Sequence, residues 1–179
     1  MKRVLLIVAV VSLGIWGCSG KTNLTEPGKD NAQNQILKFN SSPTSQLMKT
    51  AVSKKIDGKV GGKIEIDFRS EDKSSSVIGE LVFPANSFNG EKSISISLAG
   101  DLAALDFEPS MSFNNSVSLS LSFKGVNVDD KDKVGFNYIG ENGKFYSVDY
   151  NTLIVNATEY EVTVDGAELN HFSRYGFTK

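Results

Sequence analysis

Residues 117–123 have the sequence Val-Ser-Leu-Ser-Leu-Ser-Phe, in which apolar and hydroxyl side chains alternate without interruption. Two further segments follow the same rule: residues 63–69 read Lys-Ile-Glu-Ile-Asp-Phe-Arg, and residues 93–98 read Ser-Ile-Ser-Ile-Ser-Leu. Successive side chains of a β-strand point to opposite faces of the sheet, so a period of two indicates strands with one buried face. The three segments therefore predict a β domain with an apolar core.

Weaker strand patterns and turn signals fill the rest of this region. The weaker strands are at residues 77–83, 134–138, 144–150, 152–155, 160–165 and 172–177. Asn142-Gly143 is a strong hairpin signal, and Asn89-Gly90 and Asp165-Gly166 indicate further turns. Pro84 ends one strand, because proline cannot donate to a central ladder. About nine short strands without a helix of ordinary length predict an all-β domain at 59–179, an antiparallel β-sandwich.

The amino-terminal segment has the make-up of an export signal. Lys2 and Arg3 precede an apolar run at residues 4–16, which is shorter than the ~20 residues that a bilayer-spanning helix needs. A positive start followed by a short apolar run is typical of a secretory signal peptide, here residues 1–17. The run ends in Ile15-Trp16-Gly17-Cys18 and contains the chain's only cysteine. This ending resembles the bacterial lipobox, although Trp16 replaces the usual small or aliphatic residue. The alternative is an ordinary signal peptide with an incidental cysteine.

The lipobox resemblance implies a lipid anchor at Cys18. In that family the cysteine thiol is diacylglycerated, the signal is cut before it, and the new amino terminus is acylated, for example with palmitate. Several acyl chains hold a protein stably on a membrane, whereas one chain holds it only reversibly. Ser19 follows the cysteine, and by resemblance to proteobacterial lipoproteins it favours the outer membrane. We therefore expect a location in the bacterial cell envelope, facing the periplasm or the cell surface, with membrane lipid as a partner.

Residues 18–58 are polar and poor in aromatic side chains, and we predict that they form a tether. Two apolar islands interrupt them. The pattern at residues 36–39 allows a short strand. The pattern at residues 47–52 allows either a weak helix or a partly ordered segment that lies against the domain.

The order of motifs in the β domain resembles that of a known module. The motifs are Gly-Glu-Leu-Val-Phe-Pro-Ala-Asn-Ser-Phe at 79–88, Lys-Ser-Ile-Ser-Ile at 92–96, Leu-Asp-Phe-Glu-Pro at 105–109, the strand at 117–123, Asn-Gly-Lys-Phe-Tyr-Ser-Val at 142–148, and His-Phe-Ser-Arg-Tyr at 171–175. This order is similar to the β-sandwich shared by zonula-occludens proteins, netrin receptors and ankyrins, a ZU-like domain that also occurs in bacterial lipoproteins. Asn86 and Glu108 replace glycines of the family pattern. The resemblance implies a module that mediates protein–protein contacts.

The same resemblance draws attention to His171-Phe172-Ser173, which contains the chain's only histidine. In some relatives this triplet cleaves itself. Carried over, Ser173 would be the nucleophile, His171 the proton acceptor, and Phe172–Ser173 the scissile bond. A nucleophile needs a base within hydrogen-bond reach, and residues i and i+2 of a strand share a face. The structural alternative is that Phe172 packs inward and Ser173 bonds the backbone.

Composition and motif content argue against several other functions. Removal of Lys2 and Arg3 with the signal leaves 17 basic and 21 acidic residues, a net charge of −4, and provides no basic patch for nucleic acid. The acidic run around Asp129, Asp130 and Asp132 lacks calcium-loop spacing and is interpreted as a solvated loop. We expect no cofactor, no metal and no enzyme activity. The predicted function is a non-catalytic module that binds an envelope protein or supports envelope structure.

A polysaccharide-binding sandwich is a further alternative. It would use the outward serines of the strands at 93–98 and 117–123, whose hydroxyl-rich faces otherwise read as solvated sheet surface.

Overall fold

The computed structural model describes residues 35–41 and 47–179, which form eleven strands in two antiparallel sheets. The strands are β1 (Ala51–Asp57), β2 (Gly62–Arg69), β3 (Ser76–Phe83), β4 (Glu91–Leu98), β5 (Ala104–Glu108), β6 (Ser112–Lys124), β7 (Gly135–Ile139), β8 (Phe145–Ser147), β9 (Thr152–Asn156), β10 (Glu161–His171) and β11 (Arg174–Thr178). A one-turn 3-10 helix, Ala157–Glu159, links β9 to β10. The predicted all-β sandwich is confirmed, with eleven strands rather than about nine.

The strand order places the longest strand, β6, at the centre of the five-stranded sheet. One sheet has the order β1-β4-β5-β11-β7-β8, and the other has the order β2-β3-β6-β10-β9. Along β6, Val117, Leu119, Leu121 and Phe123 are buried, while the intervening serines are partly exposed. The period of two in the sequence is therefore the division between core and solvent.

Phenylalanine rings fill one end of this core. Phe172 stacks on Phe107 with ring centroids 5.4 Å apart, and it meets Phe113 and Phe83 edge-on at 4.8 and 6.1 Å. Each buried aromatic of this kind stabilises the fold by about 1.5–3 kcal/mol through burial alone. Phe172 thus packs inward, as the structural alternative for the His-Phe-Ser triplet predicts.

Two strands, β1 and β5, were not predicted. In β5, Leu105 and Phe107 are buried while Asp106 is partly exposed and Glu108 is exposed, so the alternation covers only four residues before Pro109 and is too short to stand out in the sequence. In β1, the consecutive Lys54 and Lys55 interrupt the period of two. The weak helix considered for residues 47–52 is not formed, because β1 begins at Ala51 and pairs with β4.

The lead-in segment, defined here as residues 35–41, is part of the sandwich although it falls in the predicted tether. It forms isolated bridges from Ile36 to Thr178 and from Lys38 to Leu102. Leu37 is buried between these bridges with 1% of its surface exposed. The fold therefore begins upstream of the predicted boundary at residue 59, and the apolar island at 36–39 is the reason.

The predicted turns are formed in two cases and replaced in a third. Gly143, at φ 73°, closes the β7–β8 hairpin, and Gly90, at φ 75°, lies between β3 and β4. Asp165-Gly166 does not end a strand, which corrects the prediction. The register of β10 against β6 shifts between Val164 and Ala167, and Gly166 has φ 65°, as expected for a β-bulge.

Candidate functional site

A groove of about 700 Å³ lies on the outer face of the six-stranded sheet. Its floor is one cross-strand row that the register defines. The row runs Ser97, Asp106, Arg174, Ile139, Phe145, each residue directly opposite the next on β4, β5, β11, β7 and β8. A row of this kind is positioned by backbone pairing, so its side chains are held on a rigid platform.

The centre of the groove is an ion pair between Arg174 and Asp106. Arg174 Nε donates to Asp106 Oδ1 at 2.7 Å, and Nη2 donates to Oδ2 at 3.0 Å. This two-bond geometry fixes the plane of the guanidinium, and the hydrogen bonds to Asp106 raise the pKa of Arg174 above its usual value. Both side chains remain partly exposed, at 42% and 34%. The pair is therefore a surface-accessible polar group with a fixed orientation rather than a buried support.

Carboxylates outnumber cations around the groove. Glu108 and Glu141 join Asp106 among the lining residues, and Arg174 is the only cation among the described residues that line the groove. Both glutamates are solvent-exposed. The groove therefore carries a net negative charge, which favours neutral or cationic ligands and disfavours polyanions.

One wall of the groove, at the end of the row that contains Ile139 and Phe145, is apolar. Ile139 is buried, and Ile36 and Phe145 are partly buried and pack in the same small cluster as Ala99, Leu102 and Ala104. The lead-in segment supplies Ile36, so this wall depends on residues that the sequence assigned to the tether. An apolar wall beside a few oriented polar groups is the usual composition of a binding pocket.

The His-Phe-Ser triplet lies at the corner where the chain leaves one sheet for the other. His171 ends β10, Arg174 begins β11, and Phe172 is buried between the sheets. The Phe172 amide donates to the Met111 carbonyl at 2.7 Å, and the Ser173 carbonyl accepts from the Phe107 amide at 3.0 Å. The two peptide groups next to the proposed scissile bond are thus held in the core.

His171 and Ser173 have different surroundings. The ring of His171 packs edge-on against Tyr138, with centroids 4.5 Å apart, whereas Ser173 lines the groove beside Arg174. No hydrogen bond joins Ser173 Oγ to the His171 ring, both of which belong to the described residues. The spacing of two that would place both side chains on one strand face does not apply, because β10 has ended at His171.

Tyr175 fixes this corner. Its hydroxyl donates to the His171 carbonyl oxygen at 2.7 Å and lies 3.4 Å from His171 Nδ1. Burial raises the pKa of the Tyr175 hydroxyl, so it remains a neutral donor. The arrangement is like the tyrosine corner of other β-sandwiches, in which a tyrosine hydroxyl binds the backbone a few residues upstream. It gives the His-Phe-Ser-Arg-Tyr motif a structural role.

The outward serines do not form one surface. Ser93, Ser95 and Ser97 are on β4 in the six-stranded sheet, whereas those of β6 belong to the other sheet. On β6, Ser120 Oγ donates to Asp165 at 2.7 Å, and Ser122 Oγ donates to Glu161 at 2.6 Å. The extended hydroxyl face considered for polysaccharide binding is therefore divided between opposite sides of the molecule.

The acidic loop is tied to the last strand. Asp132 accepts a hydrogen bond from Lys179 Nζ at 2.8 Å and another from the Asp129 amide at 2.9 Å. The lysine hydrogen bond lowers the pKa of the Asp132 carboxyl. Within residues 35–41 and 47–179, no group of three or more histidine, cysteine, aspartate or glutamate residues is placed to hold a metal ion.

Cys18, Trp16 and the predicted signal peptide lie outside the described residues. In the part of the chain that is described, no helix has both the length and the apolar character needed to cross a bilayer.

Comparison with known proteins gave no match. No family model matches the chain, and neither a curated protein nor a solved structure is significantly similar to it. The functional interpretation therefore rests on the groove itself.

The ion pair at the centre of the groove was not predicted from the sequence, because Asp106 lies in the unpredicted strand β5 and Arg174 is 68 residues away. In the sequence, Arg174 was noted only as part of the His-Phe-Ser-Arg-Tyr motif, with no role of its own.

Proposed function

We propose that this protein is a non-catalytic, lipid-anchored binding module of the bacterial cell envelope, and that it holds a partner protein in the groove of the six-stranded sheet. The observation that carries the proposal is the combination of a concave surface of about 700 Å³, an apolar wall and an oriented Arg174–Asp106 pair on one rigid row. Grooves of this composition bind ligands by burying apolar surface and use a few polar groups for orientation.

The anchor is proposed to be the acylated Cys18, in the outer membrane and facing the periplasm or the cell surface. Several acyl chains on one residue give stable attachment. Palmitate labelling tests this directly: the wild-type chain is expected to incorporate label and to fractionate with membrane. Cys18→Ala is expected to lose both properties. A Cys18→Ala protein that still fractionates with membrane would refute the anchor while leaving the groove untouched.

The partner is proposed to be an envelope protein with a basic, partly apolar contact surface. Glu108 and Glu141 are exposed on the groove and are free to attract basic side chains. The ZU-like resemblance also points to protein–protein contacts. Arg174 with its fixed guanidinium would then donate a hydrogen bond to an acceptor group of the partner at the centre of the interface.

Cross-linking from intact envelope tests the groove. The chain carrying Glu108→Arg with Glu141→Arg is compared with a matched control, Glu65→Arg with Glu80→Arg, on the outer face of the other sheet. We expect the groove variant to recover the partner at least tenfold less well, a change of about 1.4 kcal/mol in binding free energy. Equal recovery by both variants would place the partner elsewhere on the molecule.

A polysaccharide is the second candidate ligand, because the hydroxyl side chains Ser97, Ser110 and Ser173 and the aromatic ring of Phe145 line the same groove. A glycan array with the native lipoprotein separates the two candidates. Binding to a glycan that the groove variant loses would favour the polysaccharide. Silence on the array together with a groove-dependent protein partner would favour the protein-binding function.

A further inference from the structure

The two sheets end in four edge strands, which are β1 and β8 in one sheet and β2 and β9 in the other. An edge strand presents unpaired backbone N–H and C=O groups that can pair with another chain. Proteins usually block such edges with charge, shortness or cover. The four edges of this sandwich differ in whether they are blocked.

Three edges carry features that discourage pairing. β8 has only three residues. On β2, every outward side chain is charged: Lys63, Glu65, Asp67 and Arg69. On β1, the centre of the strand is occupied by the exposed residues Lys54 and Lys55.

β9 has none of these features. Its five residues read Thr-Leu-Ile-Val-Asn and carry no charge, and within the described part of the chain β9 pairs only with β10. Ile154 is 56% exposed, and Leu153 and Val155 are only partly buried. Tyr150 and Tyr160, which flank the strand in sequence, are 40% and 52% exposed. β-Branched, uncharged strands of this kind have a high tendency to pair.

We propose that β9 is a self-association edge, where a second copy of this chain pairs antiparallel about a two-fold axis at Ile154. In a two-fold interface residue i meets residue j and residue j meets residue i. With Ile154 on the axis, it faces Ile154 of the second copy, Leu153 faces Val155, and Thr152 faces Asn156. The order polar, apolar, apolar, apolar, polar is symmetric about its centre, so each side chain meets one of its own character.

The same operation on the other edges gives repulsive pairs. On β2, a two-fold axis at Ile66 would bring Glu65 opposite Asp67 and Lys63 opposite Arg69 of the second copy. On β1, an axis at the middle of the strand would bring Lys54 opposite Lys54. Like charges that are directly opposite destabilise a strand pair. The neutral, symmetric composition of β9 is therefore specific to this edge, and it selects a second copy as the occupant.

Pairing at β9 would join two five-stranded sheets into one continuous sheet across the axis. Only five residues of each copy take part, because the 3-10 helix begins at Ala157. An interface of this size is at the weak, transient end of the range for protein complexes. We therefore expect association that increases with protein concentration.

Single cysteines test the register. In a Cys18→Ala background the full chain has no other cysteine. Detergent is kept in excess, so that most micelles hold one chain and the apolar run at residues 4–16 does not itself bring two chains together. Ile154→Cys is expected to form a disulfide-linked dimer under mild oxidation, because directly opposite residues lie about 4.5–5.5 Å apart. Thr152→Cys alone and Asn156→Cys alone are expected to remain monomeric, and a mixture of the two is expected to cross-link.

Sedimentation of variants with one added charge gives a second, independent readout. Ile154→Lys is expected to abolish the concentration-dependent dimer, since it places two lysines opposite each other on the axis. Ile78→Lys, on the same sheet face but on the interior strand β3, is expected to leave the dimer intact. Circular dichroism confirms that both variants fold. Equal cross-linking of Thr152→Cys and Ile154→Cys, or a wild-type chain that stays monomeric at its highest soluble concentration, would overturn the proposal.

Discussion

The lead-in segment provides the sharpest test of how this sandwich is stabilised. Leu37 is 1% exposed, its amide donates to the Phe177 carbonyl at 2.8 Å, and its carbonyl accepts from the Ala103 amide at 2.7 Å. Leu37→Ala keeps these backbone bonds and removes about three buried carbon atoms, which is worth ~2.4 kcal/mol of transfer free energy at ~0.8 kcal/mol per carbon. The cavity left behind adds to this, so we expect a loss of about 3 kcal/mol within the usual range of ~2–5.

The measurement is urea unfolding followed by far-ultraviolet circular dichroism, with the free energy of unfolding obtained by linear extrapolation. The matched control is Lys38→Ala, the next residue, whose side chain is 63% exposed. We expect this control to change stability by no more than about 0.5 kcal/mol. If Leu37→Ala also changed stability by less than that, the lead-in segment would contribute nothing to the core, and its assignment to the sandwich would be refuted.

Three further predictions concern the turns, the close contacts and the triplet. Gly176→Ala is expected to destabilise the fold by about 1–3 kcal/mol in the same unfolding assay, because a Cβ there would lie 2.5 Å from the Ala104 Cβ; an unchanged midpoint would contradict this. Hydrogen bonds from the Ser70 hydroxyl, the largest cause, and from the amide and hydroxyl of Ser74 lower the pKa of Asp72 to about 2 from 3.8. The carboxylate therefore stabilises the turn above pH ~4, and this contribution is lost as the pH falls through the folded pKa. Titration by NMR is expected to show Ser70→Ala raising that pKa toward its ordinary value, and no change would rule out the hydrogen bond as the cause. The mass of the denatured chain is expected to show Phe172–Ser173 intact, and a species lacking the last seven residues, 173–179, would instead support self-cleavage.

The fold class was predictable because the strongest strands have one solvent-exposed face and one buried face. The alternation is clear in the sequences of β2, β4 and β6, whose apolar side chains are buried between the two sheets. β5 was not predicted, because its alternation covers only the four residues from Leu105 to Glu108 and the buried Ala104 precedes them. Gly166 was read as a turn because a positive φ serves a bulge as well as a turn. Local sequence cannot distinguish these two uses.

The candidate groove was less predictable than the fold. Its floor is assembled from five strands that are adjacent only through sheet order, and Asp106 and Arg174 are far apart in the chain. No local period reports such a pair. Asn86, in contrast, is a local feature that the structure explains: its φ is 64°, in the left-handed region that glycine and asparagine tolerate. Asparagine at this position is therefore compatible with the turn for which the ZU-like pattern has glycine.

The pairing of Gln35 with Lys179 has a mechanical consequence. The Gln35 amide donates to the Lys179 carbonyl at 2.7 Å, and the Lys179 amide donates to the Gln35 carbonyl at 2.8 Å. If Cys18 is held in a membrane, sixteen residues separate it from Gln35, a span of at most about 60 Å even when fully extended. A force applied along this segment would be transmitted to the sandwich through the Gln35–Lys179 hydrogen bonds, next to the carboxyl end of β11, whose first residue is Arg174. Tension between the membrane and the domain would therefore act first on β11, the strand at the centre of the groove, and not on the edge strands of either sheet.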